Sequence, residues 1–233
     1  MKINIKDNVL YGFKTDKVDK SQSGILKIGI NTLKDTSFWE SLQEELNDIA
    51  IDDKIFGDAG VNSKGDSEFS VDKKVRDSKV VFLDGERYSY LNSQLFDIIQ
   101  EYNNNESGLN YLLTGIESMQ YGIYSDGGFY DWHVDCYPSA ISITTKKTLS
   151  GTNIIKVNRK LSISIFLNDP DEYEGGELDI EVDGPRKDPR YSTYKLPKGS
   201  IVVFPSDKWH RVRPVTSGIR KSLVAWLFGP PFR

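Results

Sequence analysis

Beyond residue 108 the chain is cut by Gly, Pro, Asn and Asp into short runs of β-forming residues, and this punctuation limits the architectures open to it. The runs fall at 116–124, 129–137, 140–145, 161–167, 178–181, 200–204 and 222–228. Many short strands with turns between them make a sandwich, a jelly roll or a barrel.

The first 108 residues read as support for such a sheet. A short apolar run at 25–30 predicts a strand, and Val80, Val81, Phe82 and Leu83 predict a buried one. Phe38, Leu42, Leu46 and Ile49 recur at helical spacing behind Asp35, Thr36 and Ser37, with Ser37 and Glu40 in a capping-box pattern. Leu91, Leu95, Ile98 and Tyr102 predict a second helix that frays at Asn103, Asn104 and Asn105. The expected fold class is therefore mostly β with flanking helices, an α+β arrangement. At 233 residues without a linker the chain is expected to be a single domain over 1–233. Within it, 1–108 supplies strands and supporting helices, and 109–233 supplies the β core.

A charged content of 27% against 38% hydrophobic residues excludes extensive disorder. The net charge of −4 argues against broad nucleic-acid binding, which needs a basic face. No run approaches the roughly 18 apolar residues of a membrane span, and the first residues lack the apolar core of a signal peptide. Membrane association is not expected, and the location read from this is cytoplasmic. Cys136, the only cysteine, agrees with a reducing compartment and reads as a small buried residue. Two segments read as exposed loops: 57–72, rich in Gly, Ser, Asp and Lys, and the basic stretch 186–198, either a solvated loop or a lid over substrate.

The chemistry gathers around the two histidines. On a strand, His133 and Asp135 leave one face and Val134 the other, so one surface carries an imidazole beside a carboxylate. That is two-thirds of a two-histidine, one-carboxylate facial site, which suits non-haem Fe(II) because it leaves coordination positions open. His210 is the expected third ligand; a strand that merely exposes a His and an Asp is the alternative. Ten residues after His210 stands Arg220, heading a strand whose same-face residues are Arg220, Ser222, Val224 and Trp226. An inward arginine is costly unless an anion pairs with it, and its fork beside a hydroxyl suits a carboxylate.

The ordered motifs resemble the Fe(II)- and 2-oxoglutarate-dependent dioxygenases of the prolyl 4-hydroxylase-like branch, with its PKHD-type hydroxylase relatives. The resemblance runs from Arg76, Asp77 and Ser78 through Tyr124, Tyr130, His133 and Asp135. It continues in Arg159 to Ser162 and Phe166 to Asn168, then in Tyr173, Gly175, Gly176, Glu177 and Leu178. It ends in His210, Val212, Pro214, Thr216, Gly218 and Arg220. It implies a double-stranded β-helix (jelly-roll) core, with His133, Asp135 and His210 holding Fe(II). It also implies 2-oxoglutarate and O₂ as cosubstrates and ascorbate as a candidate reductant. Arg220 would pair with the distal carboxylate of 2-oxoglutarate, assisted by Tyr130 and Ser162, with Ser222 and Tyr124 as further candidates. Tyr130 would need a bulge to face His133's side of an otherwise regular strand. Trp226 would line the pocket, and Trp132, Tyr137 and Trp226 would form an aromatic rim for a peptide or small-molecule substrate, a peptidyl proline first. Gly175 and Gly176 read as a tight turn.

Other readings remain open to a sequence of this kind. A cupin-like metal-binding module would share the β core and the two histidines without needing Arg220. A dioxygenase acting on a free amino acid or small metabolite would share the whole site. A nucleobase demethylase usually carries a second arginine six residues after the first, where this chain has Trp226.

Overall fold

The computed structural model describes residues 27–29, 33–34, 36–50, 56–61, 70–83, 85–104, 109–136, 141–148, 151–182 and 190–232. Two helices precede most of the strands: α1 over Ser37–Ala50 and α2 over Ser89–Asn104. The strands of the N-terminal part are β1 (Lys27–Gly29), β2 (Gly57–Asp58), β3 (Arg76–Asp77) and β4 (Lys79–Phe82). Then come β5 (Gly115–Ile116), β6 (Gln120–Tyr124), β7 (Phe129–His133), β8 (Ile141–Thr148), β9 (Gly151–Phe166) and β10 (Tyr173–Gly175). The last are β11 (Leu178–Glu181), β12 (Tyr191–Tyr194), β13 (Ile201–Pro205), β14 (His210–Val212), β15 (Val215–Gly218) and β16 (Arg220–Gly229).

The strands form two main antiparallel sheets. The larger runs β1-β13-β9-β16-β6-β4-β2, with β5 on β16 and β8 on β9; the smaller runs β12-β11-β14-β7-β3, and β10 pairs β15 in a separate ribbon. The expected β core with flanking helices is the observed one. Side-chain alternation divides the larger sheet between two cores. Leu161, Ile163 and Ile165 of β9, Leu223, Ala225 and Leu227 of β16, and Ile201 and Val203 of β13 face the helices. They pack against Phe38, Leu42, Leu46 and Ile49 of α1 and Leu91, Leu95 and Ile99 of α2. The intervening residues Phe166, Val202 and Phe204 face the smaller sheet's Leu178, Ile180, Tyr194 and Val212. Each fully buried aliphatic or aromatic side chain contributes roughly 1.5–3 kcal/mol relative to exposure. The inner face of the larger sheet also carries Gln120, Ser162, Ser164, Arg220 and Ser222, all buried. A polar set between two sheets is expensive as packing and marks the place where a ligand is accommodated.

Several boundaries differ from the sequence expectation. The cap of α1 is Thr36, whose Oγ1 accepts from the Trp39 amide at 3.2 Å, one residue before the expected Ser37. In α2 the residue buried at the third turn is Ile99, while Ile98 is half-buried. The run at 116–124 is split into β5 and β6, and that at 161–167 is the end of the sixteen-residue β9. His210 lies within a strand, β14, and not after one. Tyr137, residues 62–69 of the first predicted loop and residues 186–189 of the second lie outside the described residues.

Candidate active site

Strands β7 and β14 are neighbours, and their register sets His133 opposite His210. Asp135 follows β7 in a segment tied to the end of β13: the Asp135 and Cys136 amides both donate to the Ser206 carbonyl at 2.9 Å. The three side chains converge, with His210 Nε2 3.3 Å and His133 Nε2 3.8 Å from the Asp135 carboxylate. All three candidate ligand atoms lie within 4.8 Å of one another. The tautomers follow from the partners. His133 Nδ1 meets the Asp131 carbonyl at 2.7 Å and His210 Nδ1 meets the Lys208 carbonyl at 2.9 Å. A carbonyl only accepts, so each Nδ1 carries the proton and each Nε2 turns a lone pair toward the other two ligands. This is how metal-binding histidines are oriented, and the donor set fits a divalent transition ion with open positions.

Electrostatics agree. Burial first, and the neighbouring His210 next, push the His133 pKa down to about 3, so the ring stays neutral and able to ligate. Burial alone would raise the Asp135 pKa, but the adjoining His210 and His133 outweigh it and hold the carboxyl below the usual range. The Ser162 hydroxyl donates to Asp135 Oδ2 at 2.7 Å and lies 3.0 Å from the Ser206 hydroxyl. Because Ser162 has one proton, Ser206 must donate to it, and a two-serine chain orients the carboxylate.

Along the same inner face stands Arg220, 1% exposed. Its Nη1 donates to Ser222 Oγ at 2.9 Å, and its guanidinium lies over the rings of Tyr124 (5.2 Å) and Phe166 (5.7 Å). Its Nε has no acceptor, and among the described residues no carboxylate lies within ion-pair distance of it. A buried guanidinium without an acid is an anion site in waiting.

Tyr130 is brought to His133 by an extra residue on β7: Tyr130 pairs Val212 while His133 pairs His210. This bulge is the device the sequence required. The Tyr130 ring stacks on His133 with centroids 3.5 Å apart, and the buried Arg76 guanidinium covers it at 4.5 Å. Arg76 itself donates to Ser78 and Gln120. Ser222 and Tyr124 adjoin Arg220, whereas the observed acceptor of Ser162 is Asp135. Trp226 is buried on the Arg220 face; its indole N–H has no acceptor, and the Arg159 guanidinium covers its ring at 4.1 Å. Arg159 is held by Glu117 through bonds of 2.7 and 2.6 Å. Trp132 is a correction. It neighbours His133 on the strand and so leaves the opposite face, where it packs on Tyr191 and Arg211 away from the ligands.

Residues 119–228 match the model of the 2OG-Fe(II) oxygenase superfamily. The match takes in just under half of the chain, and over it the chain is similar to that superfamily. Over 108 residues it is 38% identical to a PKHD-type hydroxylase of Teredinibacter turnerae, a match covering 46% of this chain and 41% of that protein. Over 109 residues it is 37% identical to a PKHD-type hydroxylase of Stenotrophomonas maltophilia, covering 45% and 40%. The chain thus spans about two-fifths of the length of these curated relatives. Among solved structures it is similar in fold to a Pseudomonas putida prolyl-4-hydroxylase, with a TM-score of 0.60 at 18% identity over 87% of this chain and 91% of that one. It is equally similar to a Trichoplax adhaerens prolyl hydroxylase in complex with a hypoxia inducible factor peptide fragment, with a TM-score of 0.61 at 20% identity over 88% and 84%.

Residues that the sequence reading gave no role complete the site of this oxygenase fold. Ser206, Arg159, Glu117, Arg76 and Gln120 all act through side chains from separate strands and turns. Only Arg76 and Arg159 carried a signal, as members of the ordered motifs.

Proposed function

We propose that this chain is an Fe(II)- and 2-oxoglutarate-dependent dioxygenase that hydroxylates an unactivated C–H bond of a peptidyl residue, proline first. The observation that carries the reading is the pairing, on one inner surface, of a converging His133, Asp135 and His210 with the buried, acid-free Arg220. A cupin-like metal module would need the first feature and not the second.

His133 Nε2, His210 Nε2 and an Asp135 oxygen would hold the iron, which supplies oxygen activation coupled to decarboxylation of 2-oxoglutarate, with succinate and CO₂ as coproducts. The protein's share is placement and exclusion of water. The carbonyls of Asp131 and Lys208 fix the imidazoles, and Ser162 with Ser206 fixes the carboxylate. Arg220 orients the cosubstrate by its distal carboxylate. The Tyr130 ring, pressed on His133 by Arg76, keeps that ligand from turning.

A peptide substrate agrees with the far end of the same face. The unpartnered Trp226 N–H and the Arg159 guanidinium over its ring offer donors to an acceptor such as a peptide carbonyl. The Trichoplax relative of similar fold holds a peptide. The test is an anaerobic titration with Fe(II) and 2-oxoglutarate, followed by incubation in air with proline-rich peptides, free proline and methylated oligonucleotides. A gain of one oxygen on a peptide, absent in Asp135→Ala, is the expected result. Oxidation of free proline alone would move the substrate to a small metabolite, and oligonucleotide demethylation alone would replace the peptide reading.

A further inference from the structure

Tyr173 stands outside every role considered so far. It is 4% exposed, yet its hydroxyl proton meets no acceptor. The second unpartnered donor nearby is Arg220 Nε, on a side chain 1% exposed. A buried hydroxyl left without a partner costs about 1–3 kcal/mol, and two such groups side by side call for one acceptor that satisfies both.

Their adjacency is set by the β10–β15 ribbon. Tyr173 pairs Gly218, two residues before Arg220, so the ribbon lays β10 beside the start of β16. Gly176, at a φ of +66°, lies beneath both side chains: a Cβ built on it would meet Arg220 Cδ at 3.0 Å and Tyr173 Cε2 at 3.2 Å. The ring is fixed from its other side by Lys195, whose Nζ lies 4.5 Å from the ring centroid and donates to the Tyr173 carbonyl at 2.7 Å. Burial raises the Tyr173 pKa, and the nearby Arg220 opposes it by its charge and by donating toward the phenol oxygen, which leaves the phenol proton free to donate.

The geometry points to Tyr173 as a further cosubstrate-binding residue, whose hydroxyl shares with Arg220 the distal carboxylate of 2-oxoglutarate. This deepens the proposed function and rests on it. The expected set on that carboxylate is then Arg220 with Tyr173, whose Nε and hydroxyl protons meet no acceptor, in place of the Ser162 of the sequence expectation, whose proton goes to Asp135.

The test compares two ligands on anaerobic protein loaded with Mn(II), a redox-silent stand-in, by calorimetry: 2-oxoglutarate, and 2-oxopentanoate, which has a methyl group where the distal carboxylate would be. The parent is expected to prefer 2-oxoglutarate strongly. In Tyr173→Phe the affinity for 2-oxoglutarate should fall about 10- to 100-fold, the worth of one hydrogen bond to a charged group. Affinity for 2-oxopentanoate should not change, so the preference narrows. If the parent does not distinguish the two ligands, the dioxygenase reading of the pocket fails. If the parent does and Tyr173→Phe keeps the same preference, or loses both ligands equally with a lower melting temperature, the assignment of Tyr173 is overturned while the dioxygenase reading stands.

Discussion

The Ser162 hydroxyl donates to Asp135 Oδ2 over 2.7 Å, and in the pairing of β9 with β16 Ser162 stands directly opposite Trp226, four positions beyond the Ser222 pair. Ser162 thus serves the carboxylate proposed as a metal ligand. Hydrogen bonds of this kind typically govern metal affinity by about 10- to 100-fold. Ser162→Ala is expected to weaken Mn(II) or Fe(II) binding by that order and to leave the affinity of the metal-saturated protein for 2-oxoglutarate nearly unchanged. A titration of each ligand separates the effects; a selective loss of 2-oxoglutarate would return Ser162 to the cosubstrate site.

The contrast between Ser162 and Arg220 marks how far the residues alone could be read. Strand periodicity placed Arg220, Ser222 and Trp226 on one face, and that is where they stand, because alternation is a local property of the backbone. The helix face of α1 was legible for the same reason, and that of α2 except at Ile98, where Ile99 takes the buried place. The partner of Ser162 was not, since it depends on Asp135 entering from another strand and on Ser206 tying that segment down. Trp132 was misplaced by treating aromatic residues near His133 as one rim, although adjacent strand residues must diverge. Tyr130 was placed only by invoking a bulge, which no local pattern announced. Tyr173 stood in the ordered motifs without a role, because an unsatisfied hydroxyl exists only once its surroundings are built.

On the outer face of the smaller sheet, Asp179 is fully buried beneath Arg211 and Arg213, accepting from their Nε atoms at 2.8 and 2.9 Å and from Thr193 at 2.7 Å. Burial alone would raise its pKa, but the bonds from Arg213, Thr193 and Arg211 prevail and hold it below the usual range. A depressed carboxylate stabilises the fold above its unfolded pKa, and that contribution is lost as pH falls through the depressed folded value. Asp179→Asn should cost about 2 kcal/mol at pH 7, less than a fully buried pair because both arginines are partly exposed. Urea midpoints at pH 7 and at pH 3 should show the gap between parent and variant closing in acid. A gap that is the same at both pH values would contradict the charge-based account.

Gly176 combines a left-handed backbone with a close approach to Arg220, the proposed cosubstrate anchor. An alanine there costs about 1–2 kcal/mol for its conformation, and its Cβ would press on Arg220 Cδ at 3.0 Å. Gly176→Ala should therefore lower the melting temperature and also weaken 2-oxoglutarate binding. Gly199→Ala serves as the control: its φ of +82° imposes the same strain, but its new Cβ would meet Lys34 instead. That variant should lose stability with cosubstrate affinity unchanged. Equal losses of affinity in the two would show that strain, and not contact with Arg220, is responsible.

Arg220 should behave as a residue that the folded apo-protein tolerates rather than needs. Its guanidinium is desolvated, hydrogen-bonded to Ser222 and without an acid, so its charge opposes folding until an anion arrives. Arg220→Leu, which keeps most of the apolar volume, is expected to leave the apo-protein as stable as the parent or more so. The same change should weaken 2-oxoglutarate by about 2–5 kcal/mol, roughly 30- to 5,000-fold. Arg220→Lys should recover part of that, keeping the charge and losing the fork. For the parent, 2-oxoglutarate at a hundred times its Kd adds about 2.7 kcal/mol to stability, a gain that Arg220→Leu should lack at the same concentration. Thermal melts of the Mn(II)-loaded proteins with and without 2-oxoglutarate decide the matter. A variant that melts well below the parent when apo, yet gains as much from the ligand, would make Arg220 a structural residue and leave the anchor to be found elsewhere.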